Sequence, residues 1–204
     1  TLIFSSLTGA FSDYWGYTAT YDDDGNAYAG GTINTISSTG NTDGYPTTPG
    51  ALQTTFSGGG SDITLSKFNP MGTDLVYSTY IGGELEEQPH SLVVNSNNEL
   101  ILMGRTNSDQ IPIAGNPFRG FKSSGVVLYL AKFAADGSLL VATYFGGSGA
   151  DGSNGTPDPD NYSSTKYNYG DDARGEVIVY DNNESFVAAP TQSINVLHGN
   201  PIQP

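Results

Sequence analysis

The feature that most constrains the fold is a repeated segment. The stretch LVYSTYIGG (Leu75–Gly83) has a near copy in LLVATYFGG (Leu139–Gly147) and a weaker one in LIFSSLTGA (Leu2–Ala10). Before the first two copies, another strand-like stretch ends in Lys-Phe, at Lys67-Phe68 and at Lys132-Phe133. Short strands that recur in this way predict a fold assembled from copies of one unit.

The unit contains four predicted strands, which we name A to D. Ser91–Asn95 is a strand A, and an Asn-rich turn joins it to Glu99–Gly104, a strand B. After a longer loop, Leu128–Phe133 and Leu139–Gly147 form a second hairpin as strands C and D. The closing Gly-Gly is expected to let the chain turn sharply toward the next unit. No segment has sustained helical periodicity free of Gly and Pro, so we expect almost no helix.

Other segments repeat as well and extend the unit to both ends of the chain. An Asn/Asp/Gly turn followed by an apolar strand and a threonine occurs three times, and the threonines are Thr32, Thr106 and Thr191. A sheet of four antiparallel strands cannot bury both of its faces alone, so the copies are expected to stack as the blades of a β-propeller do.

These units divide the chain into predicted blades. Residues 1–10 supply an outer strand of a preceding blade, residues 11–83 and 84–147 form two full blades, and residues 148–204 form a partial blade with an Asp/Gly/Tyr-rich insertion at 148–172. Closed propellers have about 4 to 8 blades, and open sheet edges aggregate unless they are covered. The predicted fold class is all-β, with tandem four-stranded antiparallel blades. We expect an excerpt of a larger propeller, or sheets completed by another chain.

The charge balance narrows the possible partners. The chain has 7 Lys and Arg against 21 Asp and Glu, a net charge of −14. Such a chain repels phosphate backbones and anionic lipids, so nucleic acid and membrane surfaces are disfavoured as partners. No apolar run reaches the roughly 20 residues of a membrane-spanning helix. Low Lys with abundant Ser, Thr, Asn, Gly and Tyr favours an extracellular location, and the absence of cysteine does not bear on it.

Three segments carry a family resemblance: LSKFNPMGTDLVYSTYIGG, DDDGNAYAGGT and YPTTPGALQTTFSGGG. They resemble the bacterial β-propeller repeat known as SBBP. The resemblance implies a secreted or cell-surface protein of the kind found in Bacteroidetes, exposed outside the outer membrane and exported by type IX secretion. It also implies that the partners are the remaining blades or domains of the same longer chain, together with protein or glycan partners at the cell surface. The family has no established catalytic residues to carry over.

Motifs for catalysis are weak. Without cysteine, the candidate bases are His90 and His198, and GGSGA (Gly146–Ala150) fails the G-x-S-x-G pattern at its last position. The stretch GSGADG (Gly147–Gly152) matches G-x-G-x-x-G, but the segment after it, SNGTPDPDNYSS, cannot be the required helix. We therefore predict no catalytic residues and no bound cofactor.

Calcium is the one metal for which the sequence offers candidate ligands. Two Asp-rich stretches, DDDGN and DGSNGTPDPDN, supply the oxygen atoms that Ca²⁺ prefers, without the spacing of an EF-hand. The candidate ligands are Asp22, Asp24, Asp151, Asp158 and Asp160. The simpler interpretation is a hairpin turn at Asp22–Asn26 and a solvated loop at Asp151–Asp160, and both interpretations are favoured over a metal site.

Loop aromatics and loop carboxylates leave two functions open. The aromatics Tyr14, Trp15, Tyr162, Tyr167 and Tyr169 form either a binding face for sugars or proteins, or packing between blades, which is favoured. Carboxylates cluster before strand A, as Glu84, Glu86 and Glu87 and again as Asp171 and Asp172, which suggests a repeat feature. The preferred function is a non-catalytic scaffold or binding module. The alternative is a glycan-active hydrolase or lyase, which would need convergent acids in a propeller pocket.

Overall fold

The computed structural model describes residues 14–34, 44–122, 125–151, 175–180, 184–191 and 193. Within these residues every regular element is a β-strand and no helix is present, so the all-β prediction is confirmed. No helix that could span a membrane therefore occurs in this part of the chain. The strands are β1 (Tyr14–Tyr21), β2 (Ala27–Asn34), β3 (Ser61–Phe68), β4 (Leu75–Ile81), β5 (Glu87–Val94), β6 (Leu100–Thr106), β7 (Val127–Phe133), β8 (Leu139–Phe145), β9 (Glu176–Val179) and β10 (Ser185–Ala188).

The described strands form three antiparallel sheets in chain order. Sheet 1 has the order β1-β2-β3-β4, sheet 2 has the order β5-β6-β7-β8, and sheet 3 pairs β9 with β10. Strands A to D of the sequence therefore form a four-stranded sheet twice, as predicted. The third A–B pair forms sheet 3. Neighbouring strands are consecutive because each is joined to the next by a hairpin or a single loop.

The turns between strands A and B have the same backbone path in sheets 1 and 2. Gly25 has a φ of +84°, and Asn98, at the same place in the second turn, has a φ of +58°. Glycine and asparagine adopt this left-handed region more readily than other residues. The recurring Asn/Asp/Gly composition is therefore a local signal for the hairpin.

The three sheets pack face to face, with sheet 2 in the middle. Strand β5 lies against β1, β2 and β3, while β9 lies against β5 and β6. Leu100 and Leu102 of β6 belong to the core shared with sheet 1. The alternate residues Ile101 and Met103 belong to the core shared with sheet 3. Because side chains of a strand alternate between its two faces, sheet 2 has an apolar core on each side.

Each sheet presents the same face to the sheet that follows it. Leu65 of β3 and Leu130 of β7 both lie two residues before the lysine of strand C. Leu65 belongs to the core between sheets 1 and 2, whereas Leu130 packs in the core between sheets 2 and 3. The stacking is therefore head-to-tail, which is the arrangement that lets one kind of sheet be added repeatedly.

The longer loop between strands B and C covers the outer edge of strand D. In sheet 1 the amide of Tyr80 donates a hydrogen bond to the carbonyl of Gln53 (3.1 Å). In sheet 2 the amide of Tyr144 donates to the carbonyl of Arg119 at the same distance, 3.1 Å. Unpaired strand edges promote aggregation. These loops, which the sequence shows only as Pro-bearing connections, therefore protect the edges of both sheets.

Close packing, rather than an unusual backbone, requires the glycine pair after β4. Neither Gly82 nor Gly83 is among the glycines with a positive φ, so the expected conformational role is wrong at these two positions, whereas Gly146 in the second copy has a φ of +154° and fits it. A Cβ atom at Gly82 would lie 2.2 Å from the carboxyl group of Asp62, and one at Gly83 would lie 2.5 Å from Cβ of Ser108. The neighbouring side chains therefore exclude any larger residue.

Candidate functional site

A polar cluster ties the first hairpin turn to strand β3, and we call it the turn cluster (Asp22, Asn26, Tyr28 and Lys67). The carboxylate of Asp22 accepts hydrogen bonds from the Asn26 amide (2.8 Å), the Asn26 side chain (2.9 and 3.0 Å) and the Tyr28 hydroxyl (3.0 Å). The Lys67 ammonium lies 3.2 Å from the same carboxylate, and the Lys67 and Asp22 side chains are only 5% and 0% exposed. Burial alone would raise the pKa of Asp22, but these hydrogen bonds outweigh it and lower the pKa.

Sheet 2 has a counterpart of the turn cluster in which the carboxylate and the amide have exchanged places. Asn95 stands where Asp22 stands, and its amide nitrogen donates to Glu99 (2.7 Å). Lys132, the counterpart of Lys67, donates to the Glu99 carboxylate at 2.9 Å. The Lys132 bond, the largest cause, lowers the pKa of Glu99. Both turns therefore join one acid, one amide and the lysine of strand C.

The turn cluster bears directly on the calcium candidates Asp22 and Asp24. The Asp22 oxygens already accept hydrogen bonds within the turn, which agrees with the turn interpretation. Asp24 accepts a bond from the Asn98 side chain (3.0 Å) and so links the turns of sheets 1 and 2. Among the described residues no group of three or more acidic, His or Cys side chains could hold a metal. Asp158 and Asp160 lie outside the described residues, so the solvated loop stays the favoured prediction for them and calcium the alternative.

A second polar cluster joins sheet 1 to sheet 2, and we call it the connector cluster (Gly83, Leu85, Glu87, Thr106 and Ser108). The Glu87 carboxylate accepts bonds from the Gly83 amide (2.9 Å) and the Thr106 hydroxyl (2.6 Å). Thr106 in turn accepts from the Ser108 amide (2.9 Å), and the Ser108 hydroxyl accepts from the Leu85 amide (2.8 Å). Burial, the largest cause, raises the pKa of Glu87 despite these hydrogen bonds.

The same connector cluster recurs between sheets 2 and 3 with Asp151 as its acid. The Asp151 carboxylate accepts from the Gly147 amide (2.7 Å), from the Ser193 hydroxyl (2.9 Å) and from the Thr191 hydroxyl. Ser193 donates its amide to Thr191 (3.0 Å), and its hydroxyl accepts from the Gly149 amide (2.8 Å). Asp151 is 1% exposed. The solvated-loop interpretation is therefore wrong for this residue, whose oxygens are used to close the connection.

Sequence reasoning missed the connector cluster, although the sequence contains a signal for it. In both copies the acid stands four residues after the second glycine of the Gly-Gly pair, and a Thr-x-Ser follows in or after strand B. The counterpart of Glu87 is therefore Asp151. Asp171 and Asp172, to which the sequence assigned that place, lie outside the described residues. Sheet 1 lacks the acid and the threonine of this cluster. In sheet 2 Glu87 is the cross-strand partner of Thr106, whereas Tyr14 and Ile33 occupy the same two positions in sheet 1.

Removing the hydroxyl of Thr106 tests the connector cluster. In Thr106→Val, Glu87 loses a donor and the Ser108 amide loses its acceptor, so we expect a loss of about 1 to 3 kcal/mol of unfolding free energy. The control is Thr32→Val, since the buried Thr32 hydroxyl has no hydrogen-bond partner among the described residues. This control should be neutral within about 0.5 kcal/mol or slightly stabilising. Equal losses in urea denaturation of the two variants would contradict the assignment.

His90 lies in a β-bulge of strand β5 and is half-buried. The register of β5 shifts between Pro89 and Ser91, which places His90 at an irregular position. Both ring nitrogens are buried without a hydrogen-bond partner among the described residues. A histidine base needs an orienting acid and a nucleophile within hydrogen-bond reach. Burial, reinforced by the nearby positive charge of Arg105, lowers the pKa of His90 to about 3.

The titration of His90 gives a second prediction. Because the folded-state pKa is lowered, the ring stays neutral as the pH falls through 6.5, the ordinary value for histidine. The unfolded chain takes up a proton on His90 in that range, whereas the folded chain does not. The contribution of His90 to the free energy of unfolding is therefore fully present above pH 6.5 and is lost as the pH falls toward about 3. Ring C–H resonances in NMR spectra, assigned with His90→Gln, should not move near pH 6.5. A midpoint there would show that the ring is solvated.

The predicted binding-face aromatics fall at the limits of the described part. Tyr14 and Trp15 lie in β1, at the end that pairs with Ile33 and Thr32, and only their backbone is described. Tyr162, Tyr167 and Tyr169 lie outside the described residues, as does His198, so their role stays a prediction. In the described loops the large exposed aromatics are Phe121 (71% exposed), Tyr180 (63%) and Phe118 (58%), and Phe118 and Phe121 stand on either side of Arg119.

No protein-family model matches the chain, and no curated protein matches it. The resemblance to the SBBP repeat therefore continues to rest on the three quoted segments. The described residues contain polar clusters that recur from one sheet to the next.

Proposed function

We propose that the chain is a non-catalytic scaffold and binding module, built from β-propeller blades, of a secreted or cell-surface bacterial protein. In this proposal sheets 1 and 2 are blades, and sheet 3 is the first half of another. The loops contact protein or glycan partners outside the outer membrane, and the remaining blades or domains belong to the same longer chain. The head-to-tail packing of the three sheets supports the blade interpretation.

The observation that carries the proposal is the repetition of the polar clusters from one sheet to the next. Asp22 and Glu99 each meet the lysine of strand C, and Glu87 and Asp151 each close a connection between sheets. A catalytic site places different groups together at one location. Groups that recur at equivalent positions instead hold one repeat to the next. Glu87 and Asp151 thus join one sheet to the next, while Asp22 and Glu99 hold the hairpin turn of their own sheet, and this structural use of the four acids favours a scaffold.

Exposed aromatics in the outer loops supply a binding surface for this function. Phe118 and Phe121 are largely exposed, and Arg119 stands between them in the sequence. Arg119 is itself held by a hydrogen bond from its guanidinium to the carbonyl of Gly146 (2.9 Å), so the loop is anchored to the end of β8. Aromatic faces bind sugar rings and protein side chains at small entropic cost.

The experiment is a glycan array probed with the purified chain, followed by assays for new reducing ends and unsaturated products on every glycan that binds. We expect binding without turnover, and loss of binding in Phe118→Ala/Phe121→Ala. Met71→Ala, which removes an exposed side chain from the turn between β3 and β4, is the matched control and should bind normally. Release of products would overturn the non-catalytic assignment in favour of a hydrolase or lyase. Binding in the double variant at the wild-type level would remove this loop from the proposal.

A further inference from the structure

Sheet 3 has one covered and one exposed apolar face. Val177 of β9 and Val187 of β10 pack into the core shared with sheet 2. On the opposite face Ile178 and Phe186 are direct cross-strand partners. Their side chains are 63% and 54% exposed. A cross-strand pair of this size normally lies in a core, since its exposure leaves apolar surface in contact with water.

The same cross-strand pair is covered in the two preceding sheets. In sheet 2 it is Val93 and Ile101, which lie in the core formed with sheet 3. In sheet 1 it is Thr20, which is half-buried, and Tyr28, which is 1% exposed and lies in the core formed with sheet 2. The matching turns confirm the alignment, because the amide of Asn95 donates to the carbonyl of Glu99 (3.0 Å) as that of Tyr180 donates to Glu184 (2.9 Å).

The edge of sheet 3 is incomplete in the same way. Within the described residues β10 pairs only with β9, whereas the equivalent strands β2 and β6 also pair with β3 and β7. In both complete sheets the lysine of strand C is the cross-strand partner of the residue that corresponds to Phe186. Lys67 is opposite Tyr28 in sheet 1, and Lys132 is opposite Ile101 in sheet 2. Lys67 also lies 4.9 Å above the Tyr28 ring, a cation–π contact. An aromatic ring at Phe186 suits a lysine placed there in the same register.

We propose that β10 is the acceptor edge for a strand C–D hairpin from a further repeat of the same polypeptide, whose strand C ends in Lys-Phe and places its lysine opposite Phe186. The inference rests on the blade interpretation given above and adds the partner of this edge. Sheets 1 and 2 both take this hairpin from their own chain. A second copy is a poorer source, because its β7 and β8 are already paired within sheet 2 and lending them would break that sheet.

Disulfide trapping tests the register, and the cysteine-free chain makes it unambiguous. Ala188→Cys is mixed with a synthetic hairpin, residues 127–147, that carries Leu130→Cys. Since Met103, the counterpart of Ala188, pairs with Leu130, this pair should form a disulfide about tenfold faster than a hairpin with Ala131→Cys, which is one residue out of register. A hairpin with Lys132→Glu should also react more slowly, because it places a carboxylate over Phe186 and near Glu184. Equal rates in all three hairpins would overturn the proposal.

A fusion keeps the proposal falsifiable if the free hairpin does not fold. A second copy of residues 107–147 is attached after the last residue, and amide hydrogen exchange of β10 is compared in the two chains. The β10 amides that point away from β9 should become protected in the fusion and stay unprotected when the added lysine is changed to glutamate. Dimerisation of the original chain through β10, seen by sedimentation and by trapping of Ala188→Cys with itself, would make a second copy the occupant and overturn the proposal. Disulfide trapping and amide exchange at β10 do not depend on the loop of Phe118 and Phe121. A negative result in these two experiments would therefore contradict the strand-pairing proposal without bearing on glycan binding.

Discussion

Replacing Lys67 with methionine is expected to lower the free energy of unfolding by about 3 kcal/mol. The Asp22 carboxylate is fully buried, and Lys67 is the cation beside it in the turn cluster. Methionine keeps most of the apolar stem over Tyr28 but leaves the negative charge of Asp22 without its counter-ion. The hydrogen bonds from Asn26 and Tyr28 remain, so the loss lies at the lower end of the range for a broken buried ion pair. Urea denaturation followed by circular dichroism measures it.

The equivalent lysine of sheet 2 is the matched control. Lys132 and Glu99 are 35% and 21% exposed, so water solvates their charges whether or not the pair is formed. Lys132→Met should therefore cost less than about 1 kcal/mol. Adding Asp22→Asn to Lys67→Met should recover part of the loss, because the uncompensated charge disappears. If Lys67→Met and Lys132→Met have the same effect, burial of the turn cluster does not matter and its assigned role fails.

Phe133→Ala is the second substitution with a large expected effect, about 3 to 5 kcal/mol. Phe133 ends strand β7 and is 0% exposed within the core shared by sheets 1 and 2. Truncation removes the ring from that core and leaves a cavity that neighbouring strands, held by their hydrogen-bonded registers, fill only in part. Because the core is shared, the loss weakens the contact between sheets as well as sheet 2 itself.

The same substitution at an exposed phenylalanine is the control, because it removes an identical ring that is not packed in a core. Phe121 is 71% exposed in the loop before β7, and Phe121→Ala should alter the unfolding free energy by no more than about 0.5 kcal/mol. Thermal unfolding of both variants beside the parent chain provides the comparison. A similar melting temperature for Phe133→Ala and Phe121→Ala would mean that the sheets do not share a core at this place.

The strands were predictable because their signals are local and repeated. Alternating apolar residues, Asn/Asp/Gly turns and the Lys-Phe ending occur together in Leu128–Gly147 and again in Ile63–Gly83, so each copy supports the assignment of the other. All ten described strands belong to the predicted units, including the pair β9 and β10 of the third copy. A single short apolar segment is ambiguous between strand and helix. The resemblance between the copies supplied independent evidence that these segments are strands.

The candidate sites were less predictable, because they depend on contacts between distant segments. Asp151 looked like one acid of a solvated Asp-rich loop, yet Thr191 and Ser193, about 40 residues away, bury it. His90 was one of two candidate bases, and no pattern in the sequence indicates that its ring nitrogens lack partners among the described residues. Gly82 and Gly83 were assigned a conformational role, whereas the side chains of Asp62 and Ser108 exclude a Cβ there.

The sequence by itself determined the kind of sheet, the order of its strands and the repetition of both, since these follow from backbone preferences and side-chain alternation within about twenty residues. Only the tertiary structure decided which acids are buried, which strand edges the loops cover and which apolar pair, Ile178 and Phe186, is left exposed. Burial and hydrogen bonding depend on the neighbouring sheet, which joins residues far apart in the chain. A polar residue therefore has the same sequence signal whether the next sheet covers it or water does.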